Sequence, residues 1–182
     1  MHAPMIVARV LGGGLGWMHK KRAAALQRAT LALLFSGAAT LTAIALRMSG
    51  PRRLKHRIKS VDRLLGNAGL QREREALYGE LSRHWLAGLT QVLLVVDWSD
   101  LTRDQRWQWL RASVVVEGRS VTLYEEVHAQ RLLANPKVHE RFVRRLSAML
   151  PLGCRVTVMT DAGFHAPWFK LIERQGWQFI GR

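Results

Sequence analysis

Apolar and polar positions follow two rhythms along this chain, and the change comes near residue 90. Before it, apolar residues recur at helical spacing. Leu54, Ile58, Val61 and Leu65 follow one another at intervals of four, three and four, which places them on one helical face. Upstream, Thr40 is suited to cap a short apolar helix that stops at Ser49-Gly50, and Pro51 sits near the first turn of the next, where a missing N–H costs little. After residue 90, short β-rich runs take over. "QVLLVV" at 91–96 leads into Asp97, and residues 112–127 read as two strands folded back at Glu117-Gly118. Asn135 and Pro136 then open a helix with Val138, Phe142, Leu146 and Met149 in one stripe, ended by Pro151 and Gly153. A strand at 155–160, a helix from Pro167 to about Gln175 stopped by Gly176, and a last strand in "WQFIGR" complete the pattern.

The expected class is therefore α+β: a helical region over 1–90, then a mixed sheet over 91–182 in the order β-β-β-α-β-α-β. Strands joined by a tight turn lie antiparallel, whereas a strand reached through a helix lies parallel to one already present. If the crossover sets strand 155–160 beside strand 92–96, Asp97 and Asp161 end adjacent parallel strands at one edge of the sheet. Crevices at the carboxyl ends of parallel strands are where ligands bind in such folds.

Charge narrows the partners. Lys and Arg total 28 against 13 Asp and Glu, a formal net charge of +15. A field of that sign concentrates polyanions at the surface and speeds their encounter with it. Nucleic acid is the first such partner, ahead of an anionic membrane. The uncharged run over residues 29–46 follows Lys20, Lys21 and Arg22, as in a membrane anchor, but it is rich in Ala, Thr, Ser and Gly. It reads better as buried helix, so no membrane partner is expected. Cys154 is the single cysteine, which excludes internal disulfides and thiolate zinc clusters and fits a reducing cytoplasm. The histidines show no metal-ligand spacing, and "LGGGLG" at 11–16 lacks the Gly-Lys-Ser/Thr of a phosphate loop, so it reads as a flexible leader.

Two sets of residues carry the chemistry. Arg52, Arg53, Lys55, Arg57, Lys59 and Arg63 fall mainly off the apolar face of their helix. Helix, glycine turn and basic amphipathic helix are compatible with a helix-turn-helix that contacts DNA, the plainer alternative being a solvated charged face. Asp97 and Asp161, if they converge, repel each other unless a cation lies between them. Mg²⁺ commonly takes one or two carboxylates together with substrate phosphate oxygens, and such sites drive in-line displacement at phosphorus. The plainer alternative for either aspartate is a turn former or helix cap. Asp100 and Asp104 lie among polar loop residues and suit the role less. Trp98, Trp107, Trp109, Trp168 and Trp177 suit packing more than base stacking.

"KHRIKSVDRLLGN", "VVDWSDL", "EGRSVTLYEEVH" and "LPLGCRVTVMTDAGFHAPWFKLIERQGW" resemble, in order and spacing, the DDE transposases of bacterial insertion sequences, mobile elements moved by cut-and-paste. The likeness covers about Lys55 to Arg182. It implies an RNase H-like catalytic core, with Asp97 and Asp161 as the first two metal-binding catalytic carboxylates, and Mg²⁺ or Mn²⁺ as cofactor. It also implies that the basic helical segment contacts transposon-end DNA. The family's third carboxylate is a glutamate in a downstream Tyr…Arg…Glu…Lys signature, beyond Arg182. Glu173, between the fourth and fifth strands, has no counterpart among the catalytic residues. The resemblance thus implies a C-terminally truncated transposase with two of three ligands, inactive alone, the two-metal site belonging to the complete enzyme. The other reading is a non-catalytic DNA-binding fragment that interferes with a full-length transposase, as a homodimer or in mixed oligomers.

Overall fold

The computed structural model of the chain describes Met5, Val7, Val10, Leu11 and residues 14–116 and 118–181. Gly12 and Gly13 of the glycine-rich leader, Glu117 of the expected hairpin turn, and Arg182 lie outside the described residues. Contacts divide the chain into two compact units, Met1–Leu77 and Tyr78–Arg182.

The first unit contains α1 (Lys20–Leu34), α2 (Leu41–Arg47), α3 (Leu54–Leu65) and the start of α4 (Ala68–Leu86), within which the division falls. The uncharged run is not one helix. It breaks after Leu34 at a turn where Gly37 takes φ +69, and α2 begins where Thr40 Oγ1 accepts the Ala43 N–H at 3.2 Å. Among the described residues no helix is long and apolar enough to cross a membrane. Ala32, Ile44 and Val61 form the shared core of α1, α2 and α3. Leu65, expected on the inner face of α3, is 55% exposed, and Leu64 is buried in its place. Successive residues turn by about 100°, and α3 packs through a face centred between Val61 and Leu64, which leaves Leu65 outside.

The second unit is α+β, built on a five-stranded mixed sheet in the order β3-β2-β1-β4-β5. β1 (Gln91–Asp100), β2 (Trp107–Val116) and β3 (Arg119–Ala129) form an antiparallel meander. After a 3₁₀ turn (Gln130–Leu132), α5 (Pro136–Ser147) crosses over to β4 (Arg155–Met159), which lies parallel to β1. α6 (Ala166–Arg174) carries the chain to β5 (Gln178–Ile180), parallel to β4. The expected crossover is therefore the one observed. Asn135 Oδ1 opens α5 by accepting the N–H groups of Lys137 at 3.0 Å and Val138 at 3.3 Å, and Pro136 occupies the first turn.

Alternation sorts the strands into two faces. Val92, Leu94 and Val96, with Leu110, Ala112, Val156 and Val158, are buried in one cluster with Val138, Phe142 and Leu146 of α5 and Trp168 and Ile172 of α6. Full burial of each large side chain contributes about 1.5–3 kcal/mol. Leu93, Val95, Asp97, Trp109, Arg111, Thr157 and Met159 alternate onto the other face, where Leu93 and Met159 stay partly exposed. The β2–β3 register shifts between Ala112 and Ser113. Leu123 is the inserted residue of this bulge, which is why it and Tyr124, though consecutive, are both buried.

Candidate functional site

The β1–β4 register runs toward both aspartates and stops short of them. Val92 pairs with Val156 and Val95 with Met159. Two residues further along come Asp97, still within β1 and on its open face, and Asp161, beyond the end of β4 in the turn that leads into α6. Asp97 does not end its strand, as expected from sequence. β1 continues to Asp100 because Trp98, Ser99 and Asp100 pair with Leu110, Trp109 and Gln108 of β2. It does lie beyond the last β1–β4 couple, at the carboxyl edge of the parallel pair.

Each aspartate commits one oxygen locally. Asp97 Oδ2 accepts the Ser99 hydroxyl at 2.6 Å, and Asp161 Oδ1 accepts the Gly163 N–H at 3.0 Å. The second bond closes a turn that leads into α6, so Asp161 also fills the turn-forming role open to it from sequence. Asp97 is half-buried and Asp161 exposed. Their other oxygens, Asp97 Oδ1 and Asp161 Oδ2, accept no hydrogen bond among the described residues. Asp100 and Asp104 are engaged elsewhere. Asp100 accepts the side-chain amides of Gln105 and Gln108, both at 2.8 Å, and Asp104 accepts Thr102 Oγ1 and Arg106 Nε, both at 2.6 Å. On the other side of Asp97, its β2 neighbour is Arg111, whose guanidinium carbon lies 4.8 Å from the centre of the Trp109 ring. Nothing about Arg111 stood out in the sequence; its place depends on the β1–β2 register.

A buried carboxylate lies within the same sheet unit. Glu126 accepts the Tyr124 hydroxyl and Arg145 Nη1 on one oxygen, each at 2.6 Å, and its other oxygen lies 2.8 Å from His128 Nε2. Burial by itself would raise this carboxyl. The bonds from Tyr124 and Arg145, the charge of Arg145 and the bond with His128 outweigh burial and hold it below its ordinary range. Nearby, Trp98 Nε1 donates to His139 Nε2 at 3.0 Å, and burial with the neighbouring His128 pushes the His139 pKa down to about 4. With its oxygens taken by side chains of β3 and α5, Glu126 serves the packing of the unit.

The basic residues of the first unit separate by role. Arg52, Lys59 and Arg63 line a cleft of about 750 Å³ with His56, Ser60 and, from α1 and the residue preceding it, Lys21, Arg22 and His19. His56, Lys59, Ser60 and Arg63 stand at i, i+3, i+4 and i+7, one stripe of α3, a spacing legible in the sequence but hidden by counting cations alone. Arg22 is held by Asn67 Oδ1 at 3.3 Å and Glu73 at 2.6 Å. Among the described residues no carboxylate lines the cleft. Arg53 precedes the first turn of α3 and Lys55 is exposed on its flank, both outside the cleft lining. Arg57 turns inward, its Nη1 donating to the Met48 carbonyl at 2.5 Å, where it ties α3 to the end of α2.

No family model matches the chain, and no curated protein or solved structure is significantly similar to it.

Proposed function

We propose that the chain acts on DNA as a member of the DDE transposase type, gripping duplex DNA through the cationic cleft and presenting a carboxylate pair for phosphodiester chemistry. The observation that carries this reading is that Asp97 lies just past the last β1–β4 couple and Asp161 just past the end of β4, both at the carboxyl edge of the parallel pair. A three-stranded antiparallel meander joined through a helix to parallel strands supports an RNase H-like arrangement for the sheet unit. The net charge of +15 supports a polyanionic substrate.

The donor set suits Mg²⁺ or Mn²⁺. Both ions prefer hard oxygen ligands and keep several positions for water and substrate phosphate, and each aspartate offers one oxygen that its local bond does not use. Asp97 and Asp161 would hold the ion; bound there, it supplies the positive charge that activates an attacking oxygen and stabilises a leaving one. Ser99 and the Gly163 N–H orient the two carboxylates for that purpose. Among the described residues no third acidic, histidine or cysteine side chain completes a cluster with them, so cleavage by this polypeptide alone is expected to stay at background.

Titration of the full chain with Mn²⁺, followed by calorimetry or by the Mn²⁺ spin signal, tests the pair. Asp97→Asn and Asp161→Asn should each weaken binding by about tenfold or more, at least the cost seen when a ligand's outer-shell partner is lost. Equal Mn²⁺ affinity in wild type and both variants would remove the metal reading. In parallel, nicking of duplex DNA that disappears in Asp97→Ala would show that two carboxylates suffice. A second reading, DNA binding without chemistry, is favoured by a cleft that is complete within the first unit. The two separate on one measurement: under the second, the Mn²⁺ response of DNA binding is absent from the wild type as well as from Asp161→Asn.

A further inference from the structure

We infer that Arg111 is a DNA-contacting residue, the side chain that grips a phosphodiester beside Asp97; this rests on the DNA reading above. Arg111 is the cross-strand partner of Asp97 on β1 and of Glu125 on β3. Directly opposed residues of antiparallel strands project to the same face, so Arg111 shares the open face with Asp97. Its guanidinium lies over Trp109, whose own β1 partner is Ser99. The charged end therefore leans past the level of Asp97 toward Ser99, the direction in which β1 approaches the carboxyl edge.

Two local bonds and the pattern of ion pairs bear on how available this arginine is. Trp109 is fixed by donating Nε1 to Glu125 Oε2 at 3.1 Å, which engages the acid that the register sets opposite Arg111. Asp97 turns one oxygen, Oδ2, to the Ser99 hydroxyl at 2.6 Å. Among the described residues the ion pairs within 4.0 Å fall on other basic side chains, and none joins Arg111 to Asp97 or Glu125. An arginine placed only to balance Asp97 would sit within ion-pair distance of it. A cation–π contact consumes no N–H hydrogen bond of the guanidinium and leaves its donors for another partner. Two parallel N–H donors match two non-bridging oxygens of one phosphate. Half-burial against the indole also restricts the rotamers that would otherwise be lost on binding.

The test is fluorescence anisotropy of a labelled duplex with the full chain, in Mn²⁺, over a salt series, with inorganic phosphate as a competitor arm. Arg111→Ala and Arg111→Gln should weaken binding about fivefold to tenfold and reduce the log–log salt slope by about 0.9, the share of one phosphate. Arg111→Lys should keep the slope while losing part of the affinity, because it keeps the charge and loses the fork. Melting temperatures close to that of wild type should accompany these effects. Loss of slope in Arg111→Lys as well as in Arg111→Ala would assign the residue to sheet packing and overturn the inference. So would wild-type slope and affinity in Arg111→Ala, which leaves the DNA reading intact. Competition by millimolar inorganic phosphate that vanishes in Arg111→Ala without any change in DNA affinity would make this a site for free phosphate and also overturn it. A wild-type chain with no affinity for duplex DNA would end both readings together.

Discussion

Glu126→Ala is expected to destabilise the sheet unit by about 3–5 kcal/mol, the usual cost of removing one partner from a buried charge cluster. The carboxylate is 4% exposed and accepts from Tyr124 and Arg145 on one oxygen while contacting His128 on the other, with Arg141 at 4.0 Å. These donors come from β3 and α5, so Glu126 joins the sheet to the crossover helix. Truncation removes an acceptor that Tyr124, Arg145 and His128 share and opens a cavity. Glu126→Gln keeps the volume and one acceptor oxygen but not the charge that Arg145 faces, and should cost about 2 kcal/mol. Domains of this size carry only about 5–15 kcal/mol in total, so the alanine variant should unfold at much lower urea. A midpoint unchanged in Glu126→Ala would mean that the network contributes nothing net.

The same cluster makes the unit acid-sensitive. Glu126 is held below its ordinary range of 4.5, and His139 is lowered from 6.5 to about 4. In both cases the unfolded chain binds protons more readily than the folded one, so stability falls as pH falls. For His139 the contribution is complete above pH 6.5 and is lost between 6.5 and about 4. At about 1.36 kcal/mol per pH unit, this amounts to at most about 3 kcal/mol. Glu126 adds its loss at lower pH, as the folded carboxylate finally takes up a proton. His139→Phe should remove the upper part of the decline and leave the lower part. A wild-type stability that is flat between pH 7 and 4 would contradict the depressed His139 value.

What could be read beforehand was local pattern and crossover logic. The Asn135 cap, the α5 stripe and the parallel placement of β4 beside β1 each follow from a few residues and one topological rule, and together they bring Asp97 and Asp161 to one edge. What could not be read depended on distant partners. "WQWLR" does not look like a strand, yet Trp107–Arg111 begins β2 because both neighbouring strands supply its hydrogen bonds. Glu126, in "LYEEVH", has the local appearance of a surface acid, and its partner Arg145 lies on another element. Arg57 and Lys59 are alike in composition, but one closes the α2–α3 junction and the other lines the cleft. Charge was legible; its direction was not.

That difference in direction makes the cleft testable without reference to the carboxylates. Replacing Arg52, Lys59 and Arg63 together with alanine is expected to lower duplex DNA affinity on the order of a hundredfold or more, since each lost contact costs about 1 kcal/mol, roughly fivefold, and separate losses multiply. If each cation meets one phosphate, the log–log salt slope should fall by about 2.7, three times the ~0.9 of a single neutralised phosphate. Arg53→Ala with Lys55→Ala removes nearly as much charge from the same helix but none from the cleft lining, so its slope should change far less. Arg57→Ala should act on stability, through the lost bond to the Met48 carbonyl, while the folded fraction keeps the wild-type slope. Mn²⁺ binding at Asp97 and Asp161 should survive the triple replacement, because none of the three side chains contributes an oxygen ligand. Similar slopes in the cleft triple and the flank double would reduce the basic stripe to a diffuse positive field, since net charge alone cannot distinguish cations by their position around a helix.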